Sequence, residues 1–148
     1  LEAQDDNLIE TKYQRVGHIN EGRLCDTLAS YCAAKLPGTV LPKRWKYDSS
    51  DKFVSTFGKE PHWAITRSYH CYLVEGHHVF RVWTDAGKKA ACVDVPSHLA
   101  AAISLTHDVV PIPPGSLFKC RPLTHRLKVK TVEDMQAVVS MVKSIYGV

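Results

Sequence analysis

The chain has no long apolar run. No stretch approaches the roughly 20 residues that a membrane-spanning helix requires, so a spanning protein is not expected. No Cys-x-x-Cys pair occurs, and the five cysteines (Cys25, Cys32, Cys71, Cys92 and Cys120) are odd in number and scattered. That usage argues against a disulfide-stapled secreted scaffold and for a reducing compartment. There is no internal repeat and no low-complexity run, which sets aside solenoids and disordered linkers. Residues 1–10 are acidic and polar, without the basic and apolar regions of a secretion signal, and are expected to form a flexible tail.

The composition is that of one folded globule. The 148 residues are 45% apolar and 23% charged, enough to bury a core in a single domain. A net charge of +4 with a pI near 8.8 permits contact with nucleic acid or an acidic surface without requiring it.

Residues 8–19 read as extended, and Asn20 as a helix N-cap. Leu24, Leu28, Cys32 and Leu36 recur at helical spacing, and Pro37-Gly38 stops that helix. Cys25 and Cys32, on this helix, read as small buried apolar residues. Residues 40–45 are expected to be extended and 46–52 to be a polar loop. Aromatic and β-branched enrichment predicts strands over 53–57, 62–74, 79–84 and 90–95, punctuated by Glu75-Gly76 and Asp85-Ala86-Gly87. Strands joined this tightly make an antiparallel meander. Pro96 and Ser97 open a helix through about 106, the prolines at 111–114 form a stiff connection, and residues 117–130 hold one or two strands. The last helix follows Thr131, with Thr131 and Asp134 as a capping pair and Met135, Val138, Val139, Val142 and Ile145 as an apolar stripe. The expected fold is therefore α+β, a meander with about three helices packed on it.

Three constellations bear on chemistry. His70, Cys71, His77, His78 and Cys92 surround one hairpin and are zinc-type donors. His70 and Cys71 are adjacent on a strand and point to opposite faces, so neither a metal site nor any cofactor is expected. Cys92, four residues before the helix at Pro96, and Cys120, beside Arg121, are the candidate nucleophiles, since a thiol needs an imidazole or a helix N-terminus to ionise at neutral pH. Lys43, Arg44 and Lys46 bracket Trp45, while Lys119, Arg121, Arg126, Lys128 and Lys130 line the last strands. Basic residues interleaved with aromatics suit phosphate contact and base stacking.

The segment His62-Trp63-Ala64-Ile65 resembles the H-box of the lecithin retinol acyltransferase family and its phospholipase-acyltransferase relatives. The resemblance implies an NlpC-like α+β fold, with His62 in the place of the base that activates a cysteine. The family carries that cysteine in an Asn-Cys pair at a helix start. The helix at Thr131 falls in the same order along the chain, and Val132 then occupies the nucleophile's place. Valine has no thiol, so His62 is expected to be a vestigial base. The chain also resembles the viral branch of the family, the picornavirus 2A proteins of the H-box type. That likeness implies a non-enzymatic role in viral RNA replication in the host cytoplasm, through RNA or host proteins. An active acyltransferase or phospholipase using His62 with Cys92 or Cys120 is the alternative, and an unrelated adaptor domain is a third reading. For RNA, Arg126, Lys128 and Lys130 share a strand face by their spacing of two, with Lys119 and Arg121 nearby.

Overall fold

The computed structural model describes residues 21–42, 50–65, 69–85, 90–115, 120–129 and 132–148. In chain order the elements are α1 (Glu21–Lys35), β1 (Thr39–Val40), α2 (Ser50–Phe57), β2 (His62–Ile65), β3 (Tyr69–Val74), β4 (His77–Asp85), β5 (Ala90–Val95), α3 (Ser97–Ile103), β6 (Val109–Pro111), β7 (His125–Val129) and α4 (Val132–Tyr146). The architecture is α+β: a mixed seven-stranded sheet in the order β1-β2-β3-β4-β5-β7-β6, with four helices among the described residues rather than three. Strands β2 to β5 form the expected antiparallel meander, while β1 pairs with β2 in parallel. Residues 1–20, Asn20 included, lie outside the described residues, as do 43–49 with the Trp45 cluster.

Helix α1 ends where Pro37 and Gly38 require it. The Leu36 N–H closes on Cys32 O at 2.8 Å, and the Tyr72 hydroxyl donates to Pro37 O at 2.6 Å. Gly38 is glycine for want of room, since a Cβ there would stand 2.7 Å from Trp63 Cδ1.

Residues 53–57, expected as a strand, are helical, and the helix takes in the end of the supposed loop 46–52. Phe53 and Phe57 stand one turn apart with their rings 5.2 Å from each other, a pairing that only a helix allows at this spacing. Gly58, at φ 90°, ends the helix with its N–H on Val54 O. Aromatic and β-branched content suggested a strand; the i, i+4 contact outweighs that propensity. Residues 62–74 are two strands rather than one. The chain reverses after Ile65, and Ile65 pairs with His70. The Glu75-Gly76 turn is as expected, with φ of 52° and 80°. Strand β5 spans the expected residues 90–95, and β4 and β5 pair up to Asp85 and Ala90.

Pro111 does not simply stiffen a connection. It ends β6, an edge strand that the sequence reading missed. Cys120 lies outside any strand, and within 117–130 the described residues contain β7 alone.

A bulge sets the two faces of β4. Tyr72 pairs with Phe80 and Leu73 with His78, so Val79 is the extra residue. One sheet face carries Trp63, Tyr72, Phe80, Val82, Val93, Leu127 and Val129. It packs on Leu28 and Cys32 of α1, Leu99 and Ile103 of α3, and Met135, Val138 and Val142 of α4. Each such fully buried side chain contributes about 1.5–3 kcal/mol of transfer free energy. Ile145, expected in the stripe, is 44% exposed. The other face carries a smaller cluster, Leu41, Ala64, Cys71 and Leu73, beneath Phe53 of α2.

Candidate nucleic-acid interface on the second sheet face

Strand β5 reads Ala-Ala-Cys-Val-Asp-Val, with one acid in an apolar run, and that acid is fully buried at Asp94. An isolated buried carboxylate is costly, so its partners define the site. In register, Asp94 stands between Arg81 of β4 and Arg126 of β7. Arg81 Nε donates to Oδ2 at 2.7 Å, and Trp83 Nε1 reaches the same oxygen at 3.1 Å. Arg126 Nε donates to Oδ1 at 2.9 Å. The Arg126 guanidinium also lies over the Trp83 ring, 4.5 Å from its centroid.

Arg81 is sealed, with 5% of its side chain exposed, whereas Arg126 keeps 16%. Among the described residues the two Nη groups of Arg126 have no partner. The next row across the sheet is Trp83, Cys92 and Lys128, with Lys128 exposed. Arg121 is exposed on the turn after Cys120, and Val110, opposite Arg126, is 54% exposed. The half of this face away from α2 thus presents a half-buried indole, an arginine fixed upon it, and a lysine beside it. Lys119 and Lys130 lie outside the described residues.

His62 sits at the other end of this face. Its ring is wedged against Phe53 and Phe57 at centroid distances of 5.4 and 6.1 Å, and its Nδ1 has no hydrogen-bond partner among the described residues. The start of α4 at Val132 is not its neighbour. Four strand spacings separate β2 from β7, roughly 19 Å at about 4.8 Å each. Helix α4 also packs on the opposite face. His62 shares its cross-strand row with Leu73 and His78, at the Glu75-Gly76 end, whereas Val129, just before α4, shares its row with Ala91 and Thr84. The arrangement expected from the H-box resemblance, His62 facing the helix start, is not formed.

The candidate thiols are no better placed. Cys92 is fully buried on β5, three strand spacings or roughly 14 Å from β2. Cys120 lies by Cys71, Arg81 and Asp94; burial raises its thiol, Asp94 adds to this, and Arg81 and the Leu123 N–H oppose it. Cys71, the thiol whose register brings it nearest to His62, is pushed up to about 12, chiefly by burial, with Cys120 and Asp94 adding and Arg81 opposing. These environments keep Cys71 and Cys120 protonated at neutral pH.

Of the zinc-type donors, His77 Nδ1 meets Ser50 Oγ at 3.1 Å, while Cys71 and Cys92 are buried on different strands. Among the described residues no group of three or more His, Cys, Asp or Glu side chains is placed to hold a metal ion. No helix among the described residues is long and apolar enough to cross a membrane.

The residues that sequence reasoning missed are Arg81, Trp83 and Asp94. One signal was available: a lone acid inside an apolar strand requires a cationic partner. Fold and site together define an α+β domain whose sheet has one face closed by helices, while among the described residues no helix covers the part of the other face that carries Arg126 and Lys128, where Arg81, Cys92 and Asp94 are nonetheless buried. No family model, curated protein or solved structure matches the chain.

Proposed function

We propose that this is a non-enzymatic domain that binds single-stranded RNA through the open half of the second sheet face, the role in viral RNA replication that the 2A-like resemblance implies. The observation that carries the reading is Arg126, which is held by Asp94 and Trp83 with its Nη edge free. An arginine fixed in this way has lost most of its rotamer entropy before any ligand arrives. Lys128 on β7 and Arg121 on the turn after Cys120 add exposed charge. A partly exposed aromatic with basic side chains beside it is a composition that single-strand platforms use. The separation of His62 from Val132 and Cys92, and the raised thiols of Cys71 and Cys120, support the non-enzymatic part.

The test is a titration of labelled single-stranded RNA at several salt concentrations. Lys128→Ala and Arg121→Ala should each make the log–log salt slope shallower by about 0.7, the value for one phosphate contact on a single strand. Undetectable binding at low salt, or unchanged slopes in both variants, refutes the assignment and points to host-protein contacts.

A further inference from the structure

We infer that Arg126 is a base-reading residue rather than one more phosphate contact, and that on single strands the site prefers guanine to adenine. The inference rests on the RNA-binding reading and deepens it.

The argument begins with which donors remain. Nε of Arg126 is taken by Asp94 Oδ1, so the side-on Nε/Nη fork is closed. What is left is the end-on pair of Nη groups, two parallel donors with no acceptor. Such an edge is matched by two adjacent acceptors. Guanine presents that pair as O6 and N7, whereas adenine pairs its N7 with an N6 donor, so the edge separates the two purines. On a single strand cytosine offers a second adjacent pair, O2 and N3, and uracil, whose O2 and O4 flank an N3 donor, offers none.

Charge then separates a base from a phosphate. Asp94 lies 2.9 Å from Arg126 Nε and is fully buried, so its carboxylate offsets much of the guanidinium field without removing its donors. A group with its donors intact and its charge offset suits a neutral acceptor pair better than an anion. Lys128 and Arg121 are exposed, and neither has a hydrogen bond or ion pair to another described residue; they are the phosphate contacts. Position agrees with this division. Arg126 lies on the sheet surface against the indole of Trp83, where bases rather than backbone would lie, while Lys128 is the next outward-facing residue along β7. The same Asp94–Trp83 clamp that fixes the guanidinium makes its direction specific, since a mobile arginine would accept either partner.

The test uses oligouridine strands with isolated guanosines, isolated adenosines or isolated 7-deazaguanosines at the same positions, bound to the full chain. One bidentate pair is worth about 1–3 kcal/mol of discrimination, roughly 5- to 150-fold in affinity. The guanosine strand should bind at least about fivefold more tightly than the adenosine strand. 7-Deazaguanosine, which lacks the N7 acceptor, should lose most of that margin. Arg126→Lys, which keeps a charge but not the paired donors, should narrow the gap between the guanosine and adenosine strands. Equal affinity for guanosine and adenosine strands, or a margin that survives 7-deaza substitution, overturns the inference while leaving RNA binding itself in place. Absence of binding to every strand at low salt removes the functional reading as well, so the two failures are distinct.

Discussion

Asp94 and Arg126 face each other across β5 and β7, with Arg126 Nε donating to Oδ1 at 2.9 Å, while the other oxygen, Oδ2, holds Arg81 and Trp83. One carboxylate therefore orders three side chains from two further strands. Its removal leaves Arg81 buried without its counter-charge. Asp94→Asn should destabilise the fold by about 3–5 kcal/mol, as for other broken buried ion pairs. Urea denaturation checks this; a loss well below 1 kcal/mol would mean that water already screens the cluster.

His78 gives the fold an acid sensitivity. Burial, followed by the charges of Arg81 and His77, lowers its pKa from 6.5 to about 4. On acidification the unfolded chain takes up this proton near 6.5 and the folded chain only near 4, so the unfolded state binds more protons in between. The contribution is fully present above about pH 6.5, is lost as pH falls to about 4, and totals about 3 kcal/mol. Urea midpoints across this window should fall less steeply for His78→Gln than for the parent chain. Parallel curves would show that His78 does not titrate in this way.

Two turn glycines should differ in their tolerance of a side chain. Both Gly58 and Gly76 have positive φ, 90° and 80°, so alanine is strained at either. At Gly76 a Cβ would meet Ser50 O at 3.0 Å and Val54 and Phe53 at 3.2 and 3.3 Å, a backbone oxygen and two helix side chains. At Gly58 it would meet only the carboxylate end of Glu60, which is exposed and can swing away. Gly76→Ala should cost more than Gly58→Ala, and each about 1 kcal/mol or more. Thermal unfolding of the two variants decides it, and equal losses would count against the packing of α2 on this turn.

The thiols offer a check on the proposed non-enzymatic reading. Cys71 and Cys92 are buried, and the Cys71 thiol is pushed up to about 12. At neutral pH both should resist alkylation in the folded chain and react once it is unfolded, as read by mass mapping of each cysteine. Rapid labelling of either in the folded chain, or ester hydrolysis abolished by His62→Ala, would restore the enzymatic alternative.

The Tyr72 hydroxyl, donating to Pro37 O at 2.6 Å, ties the end of α1 to the centre of β3. Tyr72→Phe should lose about 1 kcal/mol, the usual net value of one such bond. A chemical-denaturation midpoint unchanged from the parent would show that water replaces it.

Much of the fold was legible where local chemistry was unopposed. The stripe Met135, Val138, Val139 and Val142 has helical period, and all four are buried. Glu75-Gly76 permits two successive positive φ values, and a hairpin turn forms there. Residues 53–57 were not legible, because Phe, Val and Phe satisfy a strand propensity and a helix contact equally until His62 and Gly76 supply the surface on which a helix packs. Likewise Arg126 and Lys128 do share a face, as their spacing of two predicts, but nothing local showed that one is clamped and the other free.

By itself the sequence determined the alternation of β7, the stop at Pro37 and, though that signal went unread, the need of Asp94 for a cation, since these follow from side-chain period, backbone freedom and desolvation. Only the tertiary structure decided which cation it would be. In an unbroken β4, Arg81 would share its face with Val79. The bulge at Val79 sends both Val79 and Phe80 into the helix-covered core and leaves His78 and Arg81 together on the other face. The register of β4 with β5 sets Arg81 opposite Asp94, Arg126 closes on the carboxylate from β7, and Trp83 lies under it. One residue left unpaired between β3 and β4, together with the register of β4 with β5, decides which side chains share the face of the site.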